Sequence, residues 1–168
     1  MPDLQRLAAG HAAALLRFEQ ENRAYFVRSI SDRGDAYFAD FATRHADLLA
    51  EQAAGLHHFH LLIDDDGETV LGRFNLFDVA DGTAELGFRV AEQAAGRGVA
   101  TDAVRRVCDL ARDTYGLRRL VASAALDNPG SLTVLRRNGF IPVGDVVLAG
   151  RSGLRHIRDL LPADQHQP

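Results

Sequence analysis

The segment from 84 to 115 limits the folds open to this chain most, because a strand pattern and a helix pattern meet there across one short turn. Apolar and polar residues alternate from Ala84 to Val90, as in a half-buried strand. Glycines follow at 96 and 98, and apolar residues then recur at helical spacing from Val99 to Tyr115. A strand that turns into an amphipathic helix is typical of folds in which helices cover a sheet.

The flanking segments add further strands and helices. Asp64–Gly67 and Asp81–Gly82 are hairpin turn signals between strand patterns. The other strand patterns cover 56–63, 70–77, 120–126, 140–148 and 155–161, and the other helix patterns cover 8–25, 35–54 and 131–137. We therefore expect one mixed α/β domain over 1–161, with six or seven strands and helices on the faces of the sheet. A polar tail is expected over 162–168.

Composition and charge exclude several classes of function. The net charge is −4, whereas nucleic-acid binders usually carry a basic excess. No apolar run has the roughly 20 residues that a membrane-spanning helix needs. The first residues show no secretion signal, and a single cysteine, Cys108, rules out an intrachain disulfide. We expect a cytoplasmic protein with neither nucleic-acid nor membrane partners, in which Cys108 is buried and inert.

The turn from Gly96 to Thr101 has features of a phosphate site. The N-terminus of a helix presents unpaired N–H groups and partial positive charge, and residues without bulky side chains let phosphate oxygens approach. Gly96, Gly98 and Ala100 meet that requirement, and Arg97 adds a positive charge. The lysine of a P-loop and the full glycine pattern of a dinucleotide-binding turn are both missing. Taken alone, the pattern also fits an ordinary tight loop.

Four motifs at fixed spacing resolve this ambiguity. They are Ala84–Val90, Gly96–Ala103, Asp127–Ser131 and Arg136–Phe140. Together they resemble the GNAT superfamily of N-acetyltransferases, and within it the branch that contains the ribosomal-protein acetyltransferases RimJ and RimL. In the register favoured by the helix start, Ala95 stands where the family usually has Gln or Arg. In an alternative register, Gln93 occupies the position at which the family has Gln or Arg.

This resemblance implies a GNAT fold whose mostly antiparallel sheet is splayed near 84–90 and 120–126. It implies acetyl-CoA as cosubstrate, no metal, and an amine acceptor that is either a protein N-terminus or a small molecule. The pantetheine arm is expected to pair with the strand that ends at Val90. The expected acetyl-CoA-binding residues are Phe88, Arg89, Val90, Gly96, Arg97, Gly98, Val99, Ala100, Thr101 and Asn128. Because members of the branch are often dimeric, a homodimer is also possible.

Acetyl transfer to an amine needs a proton acceptor for the amine and a proton donor for the leaving thiolate. Glu85 is the candidate base, since its apolar neighbours predict a desolvated carboxylate; the alternative is an exposed edge residue. Ser131 is the candidate acid, because the branch often has an Asn-x-x-Ser arrangement matched here by Asn128 and Ser131. A helix-capping role for Ser131 is the alternative.

The acceptor side is less constrained by the sequence. Asn75 and Phe26 are candidate substrate contacts, although the aromatic residues of the N-terminal third also suit the core. His57, His58 and His60 lack the acidic or cysteine partners of a metal site, and one of them suits substrate contact better. A non-catalytic module that binds acyl-CoA is the main alternative function, and a nucleotide-binding protein without acyl chemistry is a third.

Overall fold

The computed structural model describes residues 1–161, and a seven-stranded sheet forms its centre. The strands are β1 (Asp3–Arg6), β2 (His58–Ile63), β3 (Val70–Ala80), β4 (Thr83–Val90), β5 (Arg119–Ala125), β6 (Ile141–Leu148) and β7 (Arg151–Asp159). They are ordered β1-β2-β3-β4-β5-β7-β6 across the sheet. The predicted mixed, mostly antiparallel sheet is confirmed. The predicted tail over 162–168 lies outside the described residues.

The pairing of β4 with β5 is parallel, and every other strand pairing in the sheet is antiparallel. The parallel pairing joins residues 83–85 of β4 to residues 119–121 of β5 and ends at Glu85 and Val121. Beyond that point β4 continues to Val90 while β5 continues in partnership with β7. The two strands therefore separate in the middle of the sheet, and the predicted splay is confirmed.

Helices cover both faces of the sheet. They are α1 (Ala12–Glu21), α2 (Arg23–Phe26), α3 (Asp35–Ala39), α4 (Phe41–Ala53), α5 (Val99–Asp113) and α6 (Pro129–Arg137). Helices α5 and α6 contribute to one core cluster, and α1 to α4 contribute to the other. The apolar face predicted for α5 is buried, with Val104, Val107 and Cys108 almost inaccessible. Burial raises the pKa of the Cys108 thiol, which suits an inert packing residue.

The two predicted hairpin turns form, and each contains the glycine on which its prediction was based. Gly67 has φ 74° in the β2–β3 turn, and Gly82 has φ 75° in the β3–β4 turn. Asp81 precedes Gly82 with φ 53°, so both residues of that turn have positive φ, as a two-residue hairpin turn of type I′ requires. The turn pairs Ala80 with Thr83, and a register shift between Phe77 and Ala80 then places Glu85 opposite Phe77.

The N-terminal third departs from the predicted boundaries. The helix predicted over 8–25 is interrupted at Asn22, and the helix predicted over 35–54 is interrupted at Asp40. Asn22 leaves the helix geometry and accepts a hydrogen bond from the Glu92 backbone, so a long-range contact competes with helix continuation there. Strand β1 was not predicted, and the final strand begins at Arg151 rather than near 155. Within residues 1–161 there is no helix with the length and apolar character to cross a bilayer.

Candidate active site

A cleft of about 440 Å³ opens where β4 and β5 separate. Its walls come from the C-terminal half of β4, the glycine turn before α5, the first turns of α5 and α6, and the segment around α2. The lining residues are Tyr25, Phe26, Ser29, Ile30, Phe88, Arg89, Val90, Ala94, Ala95, Gly96, Gly98, Val99, Ala100, Thr101, Asn128, Pro129, Gly130, Ser131, Thr133, Val134 and Arg137. The cleft thus combines elements from both faces of the sheet.

The N-terminus of α5 provides backbone donors to this cleft. Gly98 is the N-cap residue and has φ 75°, a left-handed conformation that favours glycine. The first helical hydrogen bond is made by Asp102 to the Gly98 carbonyl. For the N–H groups of residues 99–101, no acceptor is found within residues 1–161. Free N–H groups at the positive end of a 15-residue helix fit a diphosphate.

Strand β4 forms the second wall. Phe88 and Val90 line the cleft, and β4 has no strand partner on its β5 side beyond Glu85. Backbone groups on such an edge suit an extended ligand that carries amides. Arg89 also lines the cleft, but its side chain reaches towards α1, where Nη1 donates to Glu19 Oε2 at 3.1 Å.

The start of α6 forms the third wall and is organised by Asn128. The Asn128 Oδ1 accepts a hydrogen bond of 3.3 Å from the Ser131 backbone N–H, so Asn128 is the N-cap residue. The capping role considered for Ser131 therefore belongs to Asn128. The Ser131 hydroxyl takes no part in this cap, and Ser131 itself is half-buried in the cleft wall.

Most of the residues predicted from sequence meet in this cleft. They are Phe26, Phe88, Arg89, Val90, Gly96, Gly98, Val99, Ala100, Thr101, Asn128 and Ser131. Arg97 is exposed and donates to the Gln93 carbonyl instead of lining the wall. Asn75 is buried opposite Gly87 in β4, on the face of the sheet that carries Arg89, and its Oδ1 has no hydrogen-bond partner within residues 1–161.

Glu85 lies outside the cleft wall and is exposed. The desolvation predicted for it is wrong, because its apolar neighbours Ala84 and Leu86 point to the opposite face of the strand, into the α5 core. Alternation along β4 leaves Glu85 on the same face as Gly87 and Arg89.

Several wall residues were not predicted. Tyr25 in α2, and Ser29 and Ile30 in the turn that follows α2, reach the cleft, which no local motif indicates. Arg137 lies in the last turn of α6, where it is exposed to solvent and also lines the cleft. The basic pair at 136–137 was the available signal.

A buried acidic residue next to the cleft was also missed. Glu19 of α1 is 1% exposed and accepts hydrogen bonds from Arg33, Arg73 and Arg89. Burial acts to raise the pKa of the Glu19 carboxyl, but the three arginines outweigh burial and hold the pKa below its usual range. Glu19 is therefore ionised at neutral pH.

The two histidines of β2, His58 and His60, are held in place by contacts within the fold. Nδ1 of His60 lies 3.1 Å from the Phe74 carbonyl oxygen, and Nε2 lies 2.6 Å from the Tyr115 hydroxyl. Burial lowers the pKa of His60 to about 4, so the ring is neutral at pH 7. His58 stacks on Tyr115 with ring centroids 3.7 Å apart. Among residues 1–161 no group of three or more His, Cys, Asp or Glu side chains is placed to hold a metal ion.

The comparison with family models matches residues 3–141 to the acetyltransferase (GNAT) domain. A probable N-acetyltransferase of Bacillus subtilis (strain 168), YjcK, is 29% identical over 133 residues, which cover 74% of this chain and 72% of the relative. The ribosomal-protein-serine acetyltransferase of Escherichia coli (strain K12) is 25% identical over 144 residues, which cover 84% of this chain and 80% of the relative.

Solved structures show the same fold. The structure of Mycobacterium smegmatis RimJ in complex with CoA-disulfide superposes with a TM-score of 0.84 at 22% identity, covering 98% of this chain and 83% of that one. The match over 3–141 places the chain in the GNAT acetyltransferase family. It is an N-acetyltransferase that uses acetyl-CoA as the acetyl donor, and the α5 N-terminus, the free edge of β4 and the capped start of α6 fit that donor.

Proposed function

We propose that this enzyme transfers the acetyl group of acetyl-CoA directly to a primary amine while both are bound in the cleft between β4 and β5. The observation that carries the proposal is the composition of the cleft wall. Phosphate-binding backbone at Val99, the free edge of β4 and the hydroxyl-bearing Ser131 share one cavity with the aromatic residues Tyr25 and Phe26. Holding amine and thioester together in this way lowers the barrier by on the order of 7–11 kcal/mol in favourable cases.

In this arrangement the backbone N–H groups of residues 99–101 bind the diphosphate. The backbone of Phe88 and Val90 hydrogen-bonds the pantetheine amides, and the Asn128 amide nitrogen donates from the other side of the gap. The Asn128 Oδ1 accepts from the Ser131 N–H, and the Nδ2 group, which makes no hydrogen bond within residues 1–161, is the donor available to the arm. Arg137 supplies positive charge to a further phosphate group.

Bound acetyl-CoA supplies a thioester whose carbonyl carbon is attacked by the amine nitrogen as the C–S bond breaks. The Ser131 hydroxyl donates a proton towards the departing sulfur. A backbone N–H in the stretch from Phe88 to Val90 polarises the carbonyl. The attacking nitrogen loses one proton, and Glu85 accepts it through water, because its exposed position outside the wall excludes direct contact.

The acceptor enters from the side lined by Tyr25, Phe26, Ser29 and Ile30, opposite the phosphate end. An Escherichia coli relative is a ribosomal-protein-serine acetyltransferase, which supports a protein N-terminal amine as acceptor. A spermidine N-acetyltransferase from Vibrio cholerae shares the fold, which supports a small-molecule amine. Asn75, with its buried Oδ1 unpaired within residues 1–161, is a candidate contact for an amine donor.

Two further features belong to the proposal. Strand β6 lies at the edge of the sheet and exposes Ile141, Val143 and Val147, which supports a homodimer formed through this edge.

A cytoplasmic location is supported by the single free thiol of Cys108, which is buried.

Mixing purified enzyme with acetyl-CoA and a panel of amines tests the proposal. We expect release of free CoA thiol that depends on the amine, together with the mass of one added acetyl group on the acceptor. A binding module without catalysis would bind CoA and release no thiol above the rate measured without enzyme. That result with every amine class would contradict the proposal.

A further inference from the structure

A cluster of positive charge lies beside the acceptor end of the cleft. Glu19 Oε1 accepts hydrogen bonds from Arg73 Nη1 at 2.9 Å and Arg33 Nη2 at 3.2 Å, and Glu19 Oε2 accepts one from Arg89 Nη1 at 3.1 Å. The four side chains come from α1, the loop after α2, β3 and β4. Their side-chain exposures are 1% for Glu19, 5% for Arg73, 17% for Arg89 and 30% for Arg33.

Within this cluster the charges do not balance. Three guanidinium groups surround one carboxylate, so the cluster holds a net charge of +2. Burial lowers the pKa of Arg89 to about 10, which leaves it positively charged at neutral pH. Arg73 has a buried Nε atom without a hydrogen-bond partner within residues 1–161. Buried positive charge of this kind is stabilised when an anion approaches it.

The neighbouring acidic residues do not supply that anion. Asp32 accepts from both Nε and Nη2 of Arg23, at 2.9 and 2.8 Å, and Asp35 accepts from the same guanidinium at 2.9 Å. Within residues 1–161 neither aspartate forms a salt bridge with the guanidinium of Arg33 or Arg89. Two aspartates beside one arginine leave a charge of −1 there, so the seven side chains together still carry a net charge of +1.

The position of Arg89 links the cluster to the reaction. Arg89 and Phe26 line the main cleft and also a narrow pocket bounded by Glu19, Arg23 and Arg33. The Arg89 guanidinium lies 4.8 Å from the centroid of the Phe26 ring and makes one side-chain hydrogen bond within residues 1–161, the one to Glu19. A guanidinium has five N–H donors, so donors remain for a ligand.

We propose that Arg89, supported by Arg33 and Arg73, is an anion subsite of the acceptor-binding region, so that the preferred acceptor is an amine carrying a carboxylate or phosphate. This inference rests on the proposed function, because it assigns the acceptor of that same cleft. The planar donors of Arg89 match the geometry of both anions. A cationic polyamine is disfavoured by the same charge.

Matched pairs of amines test the subsite. One pair is a free amino acid and its amide, one is an N-terminal Ser-Asp peptide and its Ser-Asn counterpart, and one is phosphoserine and serine. These pairs separate an α-carboxylate, a side-chain carboxylate and a phosphate as sources of the anion. We expect kcat/KM to favour the anionic member of at least one pair by about tenfold or more, the scale of one charge-assisted hydrogen bond.

Variants then show whether the arginine cluster causes the preference. Arg33→Gln removes one positive charge without changing β4 or the cleft wall, and we expect it to lower the anionic preference chiefly through KM. Arg44→Gln is the matched control, because Arg44 stacks on Tyr37 and forms no salt bridge with Glu19 within residues 1–161. Glu19→Gln raises the cluster charge, and a folded variant is expected to increase the preference.

The outcomes separate this inference from the function on which it depends. Acetylation without preference in any pair, or a preference left intact by Arg33→Gln, would overturn the subsite while the acetyltransferase function stands. CoA binding without acetylation of any amine would overturn both. The affinity of each variant for CoA is measured separately. Loss of CoA binding would indicate a damaged cofactor site rather than an altered acceptor site.

Discussion

Glu85 of β4 and Val121 of β5 are the last residues that pair across the single parallel contact of the sheet. Beyond this pair the two strands diverge and the cleft opens between them. The free edge of β4 begins at this point, because β5 keeps only its pairing with β7, on its other edge, beyond Val121. The interruption of the sheet thus creates the cleft in which we propose that the acetyl donor binds.

Replacing Glu85 tests whether the carboxylate at this junction takes the proton of the amine. Glu85→Gln is expected to lower kcat/KM for the amine on the order of 100-fold at neutral pH, because it removes the proton acceptor. Glu68→Gln, on the exposed β2–β3 turn, is the matched control. A kcat/KM equal to that of the wild type would assign proton removal to solvent.

The hydroxyl of Ser131 is predicted to act on the leaving thiolate. Because the α6 cap uses the Ser131 backbone N–H, Ser131→Ala keeps the cap intact. We expect kcat to fall by about 100-fold while the affinity for CoA, measured by calorimetry, is unchanged. Ser123→Ala on β5, outside the cleft wall, serves as the control for loss of a hydroxyl. An unchanged kcat in Ser131→Ala would leave thiolate protonation to water.

Protonation of His60 is predicted to weaken the fold in mild acid. The folded-state pKa is lowered to about 4 from an ordinary 6.5, so the folded protein holds His60 neutral while the unfolded chain binds a proton. Stability is therefore complete above the unfolded pKa and decreases as the pH falls from 6.5 towards 4. Between pH 7 and pH 5 this linkage lowers the free energy of unfolding by about 2 kcal/mol.

Urea unfolding at the two pH values measures this effect. His60→Gln, which cannot titrate, is expected to lose less stability on acidification than the wild type. Tyr115→Phe removes the hydroxyl partner but retains the imidazole, so it is expected to keep the pH dependence. Equal acid sensitivity of His60→Gln and the wild type would refute the assignment to His60.

Features carried by local patterns were predictable from the sequence. The helix from Val99, the turn glycines and the cofactor side of the cleft depend on short segments whose conformation is set by nearby residues. The family motifs extended this prediction to the splayed sheet. The exposure of Glu85 was mispredicted, because apolar neighbours in sequence point to the opposite face of a strand.

Features assembled from distant segments were not predictable. The cluster around Glu19 joins residues up to 70 positions apart, and no spacing within α1 indicates its three arginine partners. The interruption of the first predicted helix at Asn22 likewise depends on a hydrogen bond from Glu92. Ser29 and Ile30 reach the cleft through the turn that follows α2, which also has no signal in the sequence.

Calorimetric titration of CoA into the wild type, Gly98→Ala and Gly116→Ala tests the central claim most directly. Gly98 and Gly116 precede and follow α5, both have positive φ, and a methyl group at either meets no atom within 4 Å, so the two substitutions carry similar backbone strain. We predict that the wild type binds CoA, that Gly98→Ala weakens binding by about tenfold, and that Gly116→Ala binds as the wild type does. No binding of CoA by the wild type at millimolar concentration, or equal affinities for the two variants, would contradict the assignment of the α5 N-terminus as the diphosphate site.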